Sequence, residues 1–414
     1  MIRSKRLLAA GFAGVLGVAG IGFGAASGSV SAAFDPASCA TEPTPEGTAA
    51  MAETTVAAEG TEAIAETTVA AEGTEAMAET TVAAEGTAPV ATEAEGITEG
   101  SAVEGQTNVA LMFDVTGRGD KSFNDAAAAG LDLAVTDFDI NPTESTPGGE
   151  GDRAERITAA AEDGNQLVIA VGFLWSDNVA QAATAYPDTH FAIVDSVVDQ
   201  PNVANLVFAE EQGSYLVGAA AALASQDGHI GFVGGATIDL IKKFEAGFVA
   251  GAMCVNPDIE IEIEYVSDDP SVGFNDPARG REIGAAMYEA GADVVYAAAG
   301  ASGIGVLEAT ADAGEPGEVW NIGVDSDLYE QVDADLQPYI LTSMLKRVDV
   351  AVHTVIEAEV NGEFAAGIQV FDLSVDGVGY STSGGFVEEY AATLEALKAA
   401  IIDGTIVVPS VPEG

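Results

Sequence analysis

The feature that most limits the folds open to this chain is an alternation that starts at Asn108 and runs almost to the C-terminus. Short apolar runs alternate with stretches of helical periodicity. The apolar runs lie at 109–113, 167–171, 191–194, 205–208, 230–233, 259–265, 294–298, 320–324 and 341–345. Helical patterns lie between them at 126–135, 154–163, 179–185, 214–224, 242–255, 278–290, 305–313 and 347–360. Strand-length runs separated by helices imply βαβ units and parallel sheets, an α/β fold. The region is too long for one doubly wound sheet, so two lobes are expected, with a break near Asp227-Gly228.

In open α/β sheets, ligands bind outside the carboxyl ends of the strands. Those ends carry the polar residues of this chain. The first run leads into Asp114-Val-Thr-Gly-Arg-Gly-Asp120-Lys-Ser-Phe123-Asn124-Asp125, which offers a carboxylate, a ring and an amide within one loop. Asp195 follows 191–194, Phe274-Asn-Asp276 follows 259–265, and Gly300-Ala-Ser-Gly-Ile-Gly305 follows 294–298. Asp325 follows 320–324 and Lys346 follows 341–345. A single strand-end Asp reads equally well as a helix cap or a turn residue. Recurrence on several strands points instead to a cleft between two lobes that grips a small, flat, polar molecule.

The first hundred residues differ. A basic start (Arg3, Lys5, Arg6), an apolar Ala/Gly/Val stretch and small residues at 30–33 have the order of a secretory signal peptide, placed at 1–33. Residues 34–107 read as a disordered acidic linker: from 40 to 107 there is no Lys, Arg or aromatic residue, and Met-Ala-Glu-Thr-Thr-Val-Ala-Ala-Glu-Gly-Thr from Met51 recurs in closely similar form from Ile64 and Met77. Cys39 stands where an acylated cysteine would anchor a lipoprotein, and Cys254, in an apolar helical context, reads as a buried small hydrophobe. The formal net charge is −52, with only 14 Lys and Arg, which argues against nucleic acid and anionic membrane surfaces as partners.

Taken together, the loop 114–125, the turn 300–305 with Val306-Leu-Glu308, the stretch Ile322-Gly-Val-Asp-Ser-Asp327, and Leu341-Thr-Ser-Met-Leu-Lys-Arg-Val-Asp-Val-Ala351 resemble the basic membrane protein family. These are substrate-binding lipoproteins of ABC transporters that capture purine and other nucleosides. The resemblance runs in order over 108–412. It implies the type I periplasmic binding protein fold, two Rossmann-like lobes joined by three crossovers, with a first lobe of 108–226 and about 346–375 and a second of 227–345 and about 376–412. By the same resemblance, Phe123 and Phe274 would sandwich a base, and Asp114 and Asn124 would bond its edge. Asp195 would share that side of the cleft, and Asp325 would accept from the ribose hydroxyls. Gly303 and Gly305 would let backbone amides approach the sugar, and Lys346 would donate to a ribose oxygen or hold Asp325. The implied partners are a nucleoside, permease subunits and, through Cys39, the outer face of the cytoplasmic membrane, with no cofactor. The loop centre Val115-Thr-Gly-Arg118 and the pair Ala301-Ser302 depart from the usual family pattern.

Two other readings remain open. The turn 300–305 also resembles the glycine motif of short-chain dehydrogenases, with Asp325 near the place of a ribose-binding acid, but no Tyr-x-x-x-Lys pair occurs in the chain. A receptor for another small ligand, such as a sugar, uses the same lobes. The histidines His190, His229 and His353 are scattered without ligand spacing, so no metal is implied.

Overall fold

The computed structural model describes residues 34–39, 103 and 105–412. The signal peptide and the repeats of the acidic linker lie outside the described residues.

Chain order shows two sheets being built in turn. The first lobe takes β1 (Thr107–Met112), α1 (Phe123–Asp137), β2 (Ile140–Ser145), α2 (Arg153–Glu162), β3 (Leu167–Ala170), α3 (Ser176–Ala185), β4 (His190–Val194) and β5 (Val203–Phe208). The second takes α4 (Glu210–Ala224), β6 (His229–Ala236), α5 (Asp239–Val255), β7 (Glu260–Ser267), α6 (Pro270–Gly273), α7 (Pro277–Ala290), β8 (Val294–Ala298), α8 (Ser302–Ala313), β9 (Trp320–Asp325) and β10 (Ile340–Lys346). The chain then returns for α9 (Val348–Val360) and β11 (Gly367–Phe371), and crosses once more to β12 (Val378–Tyr380) and α10 (Ala391–Ile402). The sheets run β11-β5-β4-β3-β1-β2 and β12-β10-β9-β8-β6-β7. Pairing is parallel throughout, apart from the antiparallel β12 beside β10.

Central strands such as β3, Leu-Val-Ile-Ala, are buried on both faces, as a parallel sheet covered by helices requires. The edges read differently. β2 is Ile-Asn-Pro-Thr-Glu-Ser with only Ile140 buried, and β11 leaves Ile368 and Val370 exposed. Neither carries the unbroken apolar signal, and both extend the first sheet beyond the strands expected from the sequence.

The first crossover lies at Ala209, which corrects the expected break near Asp227-Gly228. Helix α4 packs on α5, β10 and β12 of the second lobe. The cause is backbone contact: a Cβ on Gly218 would meet the Phe248 carbonyl oxygen at 2.1 Å, and one on Gly251 would meet that of Tyr215 at 1.9 Å. Only a pair of helices with glycine at those positions can lie this close. The other two crossings fall at Arg347, between β10 and α9, and at 372–377, between β11 and β12.

Residues Pro36–Cys39 form a short 3-10 turn against α5 and α10, so the expected linker does not begin at 34. Cys39 is joined to Cys254 by a disulfide. This corrects two expectations at once, since Cys254 is not a free buried thiol and Cys39 has no thiol left to acylate. Pairing suits an oxidising compartment, outside the cytoplasm. A non-reducing digest should return the two cysteine peptides linked, and the native protein should not react with thiol reagents. A free thiol, or a thioether-linked lipid on Cys39, would contradict the pairing.

Candidate ligand-binding site

The cleft between the carboxyl ends of the two sheets contains a cavity that is partly open to solvent. From the first lobe it is lined by Asp114, Val115, Thr116, Asp120, Phe123, Asn124, Gly172, Phe173 and Asp195. The second lobe contributes Leu240, Ile241, Phe244, Phe274, Ala298, Gly300, Val324, Asp325 and Lys346.

The loop after β1 is braced by its own acids. Asp120 accepts the backbone N–H groups of Ser122 (2.9 Å), Asn124 (2.8 Å) and Asp125 (3.1 Å), the otherwise unpaired donors at the start of α1. Asp125 accepts those of Gly119 and Lys121. Asn124 takes the Asp114 N–H on its oxygen at 2.8 Å and gives its amide hydrogens to Thr116 (3.0 Å) and Asp120 (2.8 Å). Asn124 therefore lines the cavity with its donors already committed, and this revises its expected role on a base edge: it positions the loop. Arg118, from the unusual loop centre, points away and pairs with Asp132 on α1 and Glu144 on β2. Of that centre only Val115 and Thr116 face the cavity.

Asp114 sits beside a buried cation that sequence reasoning missed. Arg153 of α2 lies against the Trp175 ring, 5.6 Å from its centroid, and its Nη2 is 3.4 Å from Asp114 Oδ1. The other oxygen lies over Gly172, where a Cβ would come within 2.8 Å of Oδ2. Burial pushes the Asp114 carboxyl up to about 6, with the Arg153 charge pulling the other way.

A second charge cluster surrounds Lys346, which is 2% exposed. Its ammonium pairs with Asp195 and lies 3.5 Å from Glu210, a residue 1% exposed in the first turn of α4. The rings of Phe123 (5.0 Å), Phe208 (5.1 Å) and Phe244 (5.6 Å) enclose it. Glu210 also bonds Lys243 at 3.1 Å. Burial works against the ammonium, yet Asp195, Glu210 and Asp325 together outweigh it and hold the lysine above its ordinary value. The carboxylates outnumber the lysine. Burial, with Glu210 adding to it and Lys346 opposing, pushes Asp195 up to about 7, and burial likewise raises Asp325.

Asp195 and Asp325 occupy matching places, at the ends of the third strand of each sheet order, and both are left-handed, with φ of 63° and 64°. That backbone is unfavourable for a non-glycine residue and clusters at functional sites. Asp325 is bonded across the cleft by Ser122 Oγ at 2.5 Å, while Asp195 Oδ1 is buried without a partner among the described residues.

Phe274 lies between α6 and α7, both capped by acids: Asp269 accepts from the Ser271 N–H and Asp276 from that of Arg279. Its ring lies where a Cβ on Gly235 would stand, within 2.3 Å. The glycine turn needs correction. Gly300, not Gly303 or Gly305, reaches the cavity. A Cβ on Gly305 would meet the Pro277 carbonyl oxygen at 1.8 Å, so this glycine seats α8 on α7. Gly303 lines a smaller neighbouring cavity with Lys121 and Asn321. Phe173, Phe244, Arg153 and Glu210 escaped the sequence reading because each sits within a helical stretch or just after a glycine, where core packing or a surface charge is the ordinary explanation.

A raised folded-state pKa means that the folded cleft binds a proton the unfolded chain has released. Asp195 thus lowers stability progressively as pH rises from about 4 to about 7, and the loss is complete above that. Denaturation midpoints at pH 5 and pH 8 should therefore differ less in Asp195→Asn than in the unsubstituted protein. An equal or larger fall in the variant would contradict the assignment.

Known proteins resemble this chain over most of its described length. The profile of a family described as PnrA-like ABC transporter substrate-binding proteins (Bmp) matches residues 107–411. The ABC transporter nucleoside-binding protein BmpA of Lactococcus lactis subsp. cremoris is 36% identical over 323 residues, covering 74% of this chain and 90% of that protein. The CD4+ T-cell-stimulating antigen of Listeria monocytogenes is 34% identical over 322 residues, covering 73% and 88%. Among solved structures, a solute-binding protein of an ABC transporter system from Aeropyrum pernix superposes with a TM-score of 0.64 at 29% identity, covering 73% of this chain and 93% of that one.

Proposed function

The chain belongs to the family of PnrA-like ABC transporter substrate-binding proteins, and on that footing we propose that the ligand it captures is a nucleoside. A substrate-binding protein works outside the cytoplasm, binds without turnover and delivers its ligand to permease subunits. Four phenyl rings, Phe123 and Phe274 among them, and a buried carboxylate–lysine cluster line one cavity, and this is the observation that carries the nucleoside reading. Phe123 and Phe274 supply aromatic faces for a base, where stacking contributes about 1–3 kcal/mol. Asp114 takes the base edge. Asp325 accepts from the ribose hydroxyls, and Lys346, fixed by Asp195 and Glu210, donates to a ribose oxygen. Asp195 Oδ1 offers a further acceptor.

Charge limits the class further. Four carboxylates (Asp114, Asp120, Asp195 and Asp325) line the cavity against the one ammonium of Lys346, so an added phosphate would meet like charge. The disulfide takes the Cys39 thiol, so acylation of Cys39 has no part in the proposal.

Calorimetric titration of the oxidised protein tests the proposal. Purine nucleosides should bind saturably, and their 5′-monophosphates about 100-fold more weakly or not at all. Asp325→Ala should weaken ribonucleosides by about 10–100-fold and 2′-deoxynucleosides by less. If no nucleoside binds while a sugar does, the proposal is wrong.

A further inference from the structure

The side-chain amide donors that line the cavity beside Asp114 are already committed. Asn124, whose amide could have served either way, has given both hydrogens to Thr116 and Asp120. Asp120 is occupied by backbone N–H groups. Arg153 lies behind Asp114, against Trp175, and its charge favours the ionised carboxylate. An ionised carboxylate accepts only.

We infer that the site selects among purine nucleosides by the protonation state of Asp114, with Arg153 as its positioning residue, so that the carboxylate form prefers guanosine. The inference rests on the nucleoside reading above. Guanine presents two adjacent donors, N1–H and an N2–H, which the two oxygens of one carboxylate accept side by side. Adenine presents a donor at N6 beside an acceptor at N1. Facing a carboxylate, its N1 meets lone pairs. Facing a neutral carboxyl, it receives the O–H while the carbonyl oxygen accepts from N6. Burial pushes the Asp114 carboxyl up to about 6, with Arg153 opposing and Asp120 adding to the rise, so both forms are within reach of mild pH.

The charged groups facing Asp114 are few, and the Val115 backbone N–H also bonds its carboxyl group. Arg153 comes from α2 and Asp120 from its own loop, while α5 contributes only the apolar Leu240, Ile241 and Phe244 to the cavity. The Lys346 cluster also titrates, but it acts on the ribose that all these ligands share. A ratio of affinities cancels it.

The test is that ratio. Guanosine and adenosine are titrated calorimetrically into the oxidised protein from pH 5 to pH 8. Guanosine should be favoured about tenfold or more at pH 8, because a well-placed bidentate pair discriminates by that order. The preference should shrink or reverse at pH 5. Asp114→Asn, nearly the same shape, carries a donor and an acceptor at every pH. It should favour adenosine, with a ratio that no longer changes across the range. Arg153→Met should move the midpoint of the change to higher pH. A ratio independent of pH in the unsubstituted protein, or one unaltered by Asp114→Asn, overturns the inference and leaves the nucleoside reading standing. Failure of every nucleoside to bind at any pH sinks that reading, and the inference with it.

Discussion

An ammonium sealed inside a protein must be matched by charge close at hand, and Lys346 imposes that condition on this molecule. It stands at the end of β10, one residue before the chain recrosses between lobes. Its partners come from elsewhere: Asp195 from the end of β4 in the first lobe, and Glu210 from the residue after the first crossover. Removing one partner of a buried pair typically costs about 3–5 kcal/mol, because the other charge is left uncompensated. The arrangement of the lobes, the path of two crossovers and the polarity of the cleft are therefore bound to one cluster. The left-handed backbone at Asp195 and Asp325, about 1–3 kcal/mol at each, is tolerable because it delivers carboxylates to that cluster.

Other contacts across the cleft complete the closed arrangement. Besides the Ser122–Asp325 bond, Ser326 Oγ donates to the Ser122 carbonyl at 2.9 Å and Lys121 Nζ to that of Gln331 at 2.5 Å. Each joins the start of α1 to the loop after β9. In the proposed function, a ligand between the lobes would add contacts to this form and shift the population toward it.

Much of this was legible in the chain, for a physical reason. Parallel strands covered on both faces must be continuously apolar, so β3, β4 and β8 announce themselves, and the polar residue that ends such a run lies at the ligand side of the sheet. Asp114, Asp195, Asp325 and Lys346 could be picked out on that basis. Edge strands escape the rule, and β2, β11 and β12 went unread. The first crossover was misplaced because α4 is apolar nearly all round, and the glycines that seat the two helices together, Gly218 on α4 and Gly251 on α5, meet partners on the other helix that the sequence does not reveal. Gly305 shows the same ambiguity from the other side, since a glycine before a helix can admit a ligand or another backbone. What lay beyond reach was pairing: Arg153 with Asp114, Glu210 with Lys346, and Cys39 with Cys254 across 215 residues.

In the proposed function the cleft has a direction, with a base at Asp114 between two rings and a ribose at the Lys346 cluster. A crystal structure of the protein saturated with a purine nucleoside tests it most directly. The base should be stacked between Phe123 and Phe274 with its edge on Asp114, and the ribose hydroxyls should lie on Asp325 with Lys346 beside them. A ligand reversed in the cleft, or one that leaves Asp325 and Lys346 untouched, would contradict it.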